Sequence, residues 1–148
     1  MQEDWQLALI WTILPAGRAW QRAASAAFAD LGVSLSVAAP VLVIARLGNG
    51  VRQKAVSDAA GIDPAAVVRS LDQLESSGIL RRAEDPHDRR AKTLHLTEKG
   101  TQLARDLERT LEQVKARILS GISDVDGAVA ARVLAEIIRA ANVVTGDS

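Results

Sequence analysis

Between Gly78 and Thr97 the helical periodicity that runs through the rest of the chain breaks off. Thr93-Leu94-His95-Leu96 alternates polar and apolar residues, the period of a strand with one buried face. Ile79-Leu80-Arg81-Arg82 supplies an antiparallel partner, and Asp85-Pro86-His87-Asp88 between them is rich in turn formers. The segment therefore predicts a β-hairpin with a basic tip, set inside an otherwise helical chain.

The flanking segments read as helices. In residues 3–29, Trp5, Leu9, Ile13, Ala16, Trp20, Ala23 and Ala27 recur every three or four positions and form one apolar stripe. Pro15 and Gly17 are expected to kink or restart this helix, because proline removes an internal hydrogen bond. Ile10, Trp11 and Leu14 lie off the stripe, and this second apolar face predicts burial against another chain. After Gly32, Ser34 or Ser36 can cap a helix running to about Leu47, with distortion expected at Pro40 and an end at Gly48-Asn49-Gly50. Residues 51–60 read as a short helix with Val51, Ala55, Val56 and Ala59 inward, and Gly61 makes the turn.

Asp63-Pro64 is a strong helix start, since Asp caps well and Pro suits the first helical position. The helix over 64–77 is expected to bury Val67, Leu71 and Leu74 and to present Ala65, Val68, Arg69 and Asp72. Thr97, with Glu98 in the first turn, opens a long helix carrying Leu103, Leu107, Leu111, Val114 and Ile118. Ser123-x-x-Asp126 begins the last helix, where Val129, Val133, Ile137 and Ala141 repeat every four. Thr145 to Ser148 are expected to fray.

Composition narrows the function. Hydrophobic residues make up 48% of the 148, ample for a core, yet no apolar run reaches the ~20 residues a membrane span needs. The N-terminus lacks the basic-then-apolar layout of a signal peptide, so a cytoplasmic protein with no membrane association is expected. The absence of cysteine excludes disulfides and thiolate metal sites. His87 and His95 are the only histidines, and neither has a nucleophile or metal-ligand spacing around it; no enzyme, metal site or cofactor is expected. Basic and acidic residues balance at 18 each, so any nucleic-acid role must rest on a local patch. Arg81, Arg82, Arg89, Arg90 and Lys92, set against Glu84, Asp85 and Asp88, supply one.

A short helix, a tight turn and a capped amphipathic helix make a helix-turn-helix. The second helix can enter a major groove: Ala65 permits close approach, Val68 can meet a thymine methyl, and Arg69 can bond a guanine or a phosphate. Many helical proteins contain such a pair without binding DNA. The hairpin that follows it is the more specific feature.

Taken together, Ile62-Asp63-Pro64-Ala65-Ala66-Val67-Val68-Arg69-Ser70-Leu71-Asp72-Gln73-Leu74-Glu75, Gly78-Ile79-Leu80-Arg81-Arg82, Asp85-Pro86-His87-Asp88-Arg89-Arg90-Ala91-Lys92 and Leu94-His95-Leu96-Thr97 with Gly100 resemble the MarR family of winged-helix regulators. The match is close over residues 55–103 and extends to layout alone outside them. The resemblance implies a mainly α fold with a small β-hairpin wing, a winged helix-turn-helix over 33–100. N-terminal (1–32) and C-terminal (101–148) dimerisation helices flank it. It implies that Asp63, Pro64, Ala65, Ala66, Val68, Arg69 and Gln73 face the major groove of double-stranded DNA. It also places His87, Arg89, Arg90 and Lys92 at the wing, with Arg89 or Arg90 near the minor groove. Asp72 and Arg90 match an acid–arginine brace between recognition helix and wing.

A homodimer would read a palindromic site with half-sites ~10 base pairs apart, and repression is the family's commoner outcome. Relatives respond to small, often aromatic and anionic effectors. Trp11, Arg18 and Trp20 are candidates for such a pocket, although Trp20 on the stripe also fits plain core and Arg18 a solvated charge. Two departures stand out: Pro40 where an aromatic is frequent, and Val68 where a small polar residue is usual. The alternative reading is a winged helix used for protein interaction without specific DNA binding.

Overall fold

The computed structural model describes residues 4–146. Six helices and three strands follow in the order α1 (Trp5–Ala29), α2 (Leu35–Leu47), β1 (Val51–Arg52), α3 (Gln53–Ala60), α4 (Pro64–Ser76), β2 (Leu80–Asp85), β3 (Asp88–Leu96), α5 (Glu98–Ile118) and α6 (Asp124–Thr145). The chain divides into two compact units, Met1–Val114 and Lys115–Ser148.

In the first unit, the Asp4 carboxylate accepts the N–H groups of Gln6 and Leu7 and so starts α1. The expectation for Glu3 lies outside the described residues. α1 runs as one helix through Pro15, without the restart predicted there. A single proline costs one hydrogen bond, and the alanine-rich flanks carry the helix past it. Pro40 is likewise internal to α2 and fully buried. Gly48 and Gly50, both at positive φ, close α2 and turn the chain into β1.

β1 is the main departure from expectation. Residues 51–52 form a strand rather than the first turn of a helix, pairing Val51 with Leu94 and Arg52 with Thr93. The sheet is antiparallel in the order β1-β3-β2. Two residues are too few to show any period in sequence. In α3, Val56 and Ser57 are buried while Ala59 is exposed. The Ser57 hydroxyl donates to Ile62 O at 3.0 Å and pins the turn into α4, where Gly61 adopts the left-handed conformation.

α4 begins as the sequence predicts. Asp63 caps it by accepting the Ala65 N–H at 2.8 Å, and Pro64 takes the first helical position. Val67, Leu71 and Leu74 enter a core completed by Phe28, Val41, Ile44, Val56, Leu80, Leu94 and Leu107. Thr97 then fastens the start of α5 to the α4–β2 turn: its hydroxyl donates to Gly78 O at 2.6 Å and accepts the Gly100 N–H at 3.1 Å. A Cβ on Gly100 would stand 2.0 Å from the Ile79 carbonyl oxygen, so only glycine lets α5 pass this close.

In the second unit, Ser123 caps α6 through the Asp126 N–H, and the helix persists to Thr145 with Gly146 as its left-handed C-cap. Fraying expected at 147–148 lies outside the described residues. None of the described residues of α6 is buried.

Candidate nucleic-acid interface

α4 divides cleanly between two environments. Its inward face holds Val67, Ser70, Leu71 and Leu74; its outward face presents Asp63, Pro64, Ala65, Val68, Arg69, Asp72 and Gln73, with Ala66 half-buried at the margin. Arg69 makes no side-chain hydrogen bond or ion pair within the described residues. A cation held on a rigid helix without an internal partner is available to an external acceptor.

The hairpin gives the second half of the surface. β2 and β3 pair from Leu80↔Leu96 to Asp85↔Asp88, with an irregularity at Glu84/Asp85 and Pro86-His87 as the connection. His87, Arg89, Arg90 and Lys92 are exposed. Lys92 lies 3.9 Å from Glu84 across the strands, whereas the side chains of Arg89 and Arg90 have no partner among the described residues. The Arg90 backbone N–H donates to the Asp88 carboxylate at 3.0 Å, which shapes the turn and leaves the guanidinium free.

The brace between α4 and the wing is built differently from the expectation. Asp72 pairs with Arg82 on β2, at 2.7 Å, and not with Arg90. Glu75 joins it by accepting the Arg82 backbone N–H at 3.1 Å and lying 3.4 Å from Nη1. The reason is strand geometry. Arg82 is opposite Leu94 on the face of the hairpin that packs on α4, while Arg90 lies beyond the turn. Arg82 is largely covered, and its Nε has no partner among the described residues.

A second ion pair was not foreseen. Arg52 on β1 donates through Nε to Asp85 Oδ2 at 2.8 Å, its Nη2 lies 2.8 Å from the same oxygen as an ion pair, and Asp85 Oδ1 accepts the His87 N–H at 2.8 Å. The backbone bond from His87, followed by Arg52, holds the Asp85 carboxyl below its ordinary range, against the opposing effect of desolvation. By sequence Asp85 reads as a turn former and Arg52 as helical; their contact depends on the strand β1.

The residues considered for an effector do not converge. Arg18 lines an open groove of about 600 Å³ with Gln21, Arg22, Ser25 and Leu35. Trp11 and Trp20 are not among the residues lining it and stand 73% and 38% exposed. Among the described residues no group of three or more His, Cys, Asp or Glu side chains is arranged to hold a metal, and no helix is long and apolar enough to cross a membrane.

Known proteins share this architecture. Residues 24–115 match the model of the ArnR1-like, winged-helix domain family. The chain is similar to the transcriptional regulator PA3341, with 29% identity over 90% of this chain and 98% of that one and a TM-score of 0.81. It is similar to CouR from Rhodococcus jostii RHA1 bound to p-coumaroyl-CoA, with 26% identity over 92% of each chain and a TM-score of 0.79. A MarR-family transcriptional regulator from Rhodococcus sp. RHA1 shares the fold at 24% identity, over 93% of this chain and 96% of that one, with a TM-score of 0.78. With more than half of its length inside that family model and these neighbours spanning nearly all of it, the chain belongs to the ArnR1-like winged-helix family and has the winged helix of MarR-type transcriptional regulators.

Proposed function

We propose that this protein is a non-enzymatic cytoplasmic regulator that binds double-stranded DNA sequence-specifically as a homodimer. The observation that carries the reading is the pairing of two exposed cationic elements on one braced frame. Arg69 projects from α4, Arg89 and Arg90 crown the hairpin, and Arg82 ties the two elements together through Asp72 and Glu75. α4 enters the major groove with Ala65, Ala66, Val68, Arg69 and Gln73 toward the bases, and the Asp63-Pro64 start lies close to the backbone. The hairpin tip reaches the adjacent minor groove, where an arginine meets concentrated negative potential and His87 and Lys92 meet phosphates.

The terminal segments 1–32 and 101–148 serve dimerisation and 33–100 serves DNA reading. Support comes from the exposed apolar side chains of α1 (Trp5, Ile10, Trp11, Leu14) and, separately, of α6 (Val125, Val129, Leu134, Ile138). A twofold dimer reads a palindrome with half-sites about one helical turn, ~10 base pairs, apart. Release by a small aromatic or anionic effector, and hence repression in its absence, fits the acyl-CoA held by CouR and the exposed Arg18, Trp11 and Trp20.

The test is binding to fluorescent duplexes from the upstream region of the protein's own gene, titrated with salt. Wild type is expected to bind tightly with a steep salt dependence, and the Arg89→Ala, Arg90→Ala double variant to lose at least ~10-fold. Equal, weak binding of both proteins to every duplex would refute DNA reading and favour a winged helix used for protein interaction.

A further inference from the structure

The sheet order β1-β3-β2 puts β1 on the far side of β3 from the strand that leads into the hairpin tip. Arg52 nevertheless reaches the tip. Arg52, Thr93 and Ala83 are successive partners across the sheet, and the Arg52 guanidinium spans β3 to reach Asp85 Oδ2, with one hydrogen bond from Nε and an ion-pair contact from Nη2. The other oxygen of the same carboxylate holds the His87 N–H, in the two-residue connection itself. Asp85 is only 8% exposed, so its charge is kept in place by these partners rather than by water.

The two ends of this link matter. Arg52 immediately precedes α3, the first helix of the helix-turn-helix. Asp85 pairs with Asp88, and Arg89 and Arg90 follow directly. A rotation of the tip about the irregular Glu84/Asp85 step would carry both arginines with it. We propose that Arg52 and Asp85 are positioning residues that fix the direction of the wing tip against the helix-turn-helix. They thereby set the sequence preference that the tip arginines express in the minor groove.

The inference rests on the DNA-binding reading above, and charge counting opposes it in a useful way. Asp85→Ala removes an acid near the DNA, so electrostatics alone predicts tighter binding to every sequence. Positioning predicts a loss of discrimination instead. Arg52 is half exposed, and as a mere phosphate contact its removal would weaken all duplexes alike and lower the salt slope by about one.

The experiment uses full-length protein and duplexes that differ only in A·T or G·C pairs flanking the half-site read by α4. Wild type is expected to prefer the A·T flanks by ~5-fold or more, as one to two base-pair contacts allow. Arg52→Ala and Asp85→Ala are expected to cut that preference to within about twofold, while discrimination inside the half-site persists. Arg52→Lys, which keeps the charge without the fork, should restore part of it. Arg52→Ala alters a half-exposed side chain and serves if Asp85→Ala does not fold. Full flank preference in the variants, or uniform weakening with a lower salt slope, overturns the proposal. Amide exchange in the free protein gives a readout independent of DNA: Arg52→Ala should speed exchange at the His87 N–H by ~10-fold, and unchanged exchange refutes the tether. If wild type discriminates inside the half-site but lacks any flank preference, the minor-groove part of the proposal falls and the DNA reading stands; equal, weak binding to every duplex removes the DNA reading itself. If wild type discriminates and the variants match it, the positioning role alone falls.

Discussion

The same apolar period has opposite outcomes in two parts of this molecule. In α4, Val67, Leu71 and Leu74 recur at helical spacing and vanish into a core that α2, α3 and the hairpin close around them. In the unit Lys115–Ser148, α6 repeats Val129, Val133 and Ile137 just as regularly, yet none of them is buried: Val133 and Ile137 are half-buried, Val129 is exposed, and Val125 and Ile138 beside them stand 72% and 63% exposed. A stripe of apolar residues states that a face needs cover. It does not state whether the cover comes from the same chain. The winged helix is self-sufficient by this criterion, whereas no described residue of α6 is buried; in the dimer proposed above, a second copy supplies the cover.

That contrast can be broken by experiment. Leu71→Ala, at a fully buried site, should cost ~2–5 kcal/mol in a urea melt at any protein concentration. Ile138→Ala is the counterpart: a helix that stays in water loses less than ~0.5 kcal/mol, but a dimerised one loses more, and its midpoint falls on dilution. A midpoint independent of concentration in wild type and variant would remove the dimer reading. Gly100→Ala should cost ~1–3 kcal/mol or more, since the new methyl meets the Ile79 carbonyl, and thermal melting measures it. Asp63→Ala should cost ~1 kcal/mol through loss of the α4 cap; if that cap is dispensable, the start of α4 is held by packing alone.

The smallest effect distinguishes the wing from the rest by pH. Asp85 has its folded-state carboxyl held below its ordinary range, so the native state binds this proton less readily than the unfolded chain. Its contribution is therefore present at neutral pH and is lost as the pH falls through and below the ordinary carboxylate range. Denaturant midpoints at neutral and acid pH should fall less for Asp85→Asn than for wild type. An identical acid loss in both would show that the charged Asp85 carboxylate, held by the His87 N–H and by Arg52, adds nothing to stability.

Much of the winged helix was readable because its signals are local. Asp63-Pro64 announces a helix within two residues, the alternation at 93–96 announces a strand within four, and Gly100 sits at a fixed offset from Thr97 in the motif. The brace partner was not readable. Asp72 is eighteen positions from Arg90 and ten from Arg82, and sequence distance cannot choose between two arginines on either side of a hairpin turn; position along the hairpin decides it, Arg82 opposite Leu94 and Arg90 four residues nearer the tip. β1 escaped notice because two residues have no period, and with it went the Arg52–Asp85 link.

The sequence by itself determined the order of the helices and the hairpin, the apolar inward residues of α4 and the basic tip of the wing, since propensity, capping and turn chemistry act over a few neighbouring residues. The tertiary structure alone decided which charges meet. Arg82 turns from the basic patch toward Asp72 and Glu75, Arg52 reaches across a strand to Asp85, and Arg69, Arg89 and Arg90 are left without side-chain partners among the described residues. Ion pairing depends on a few ångströms between side chains far apart in the chain, and register and packing set that distance.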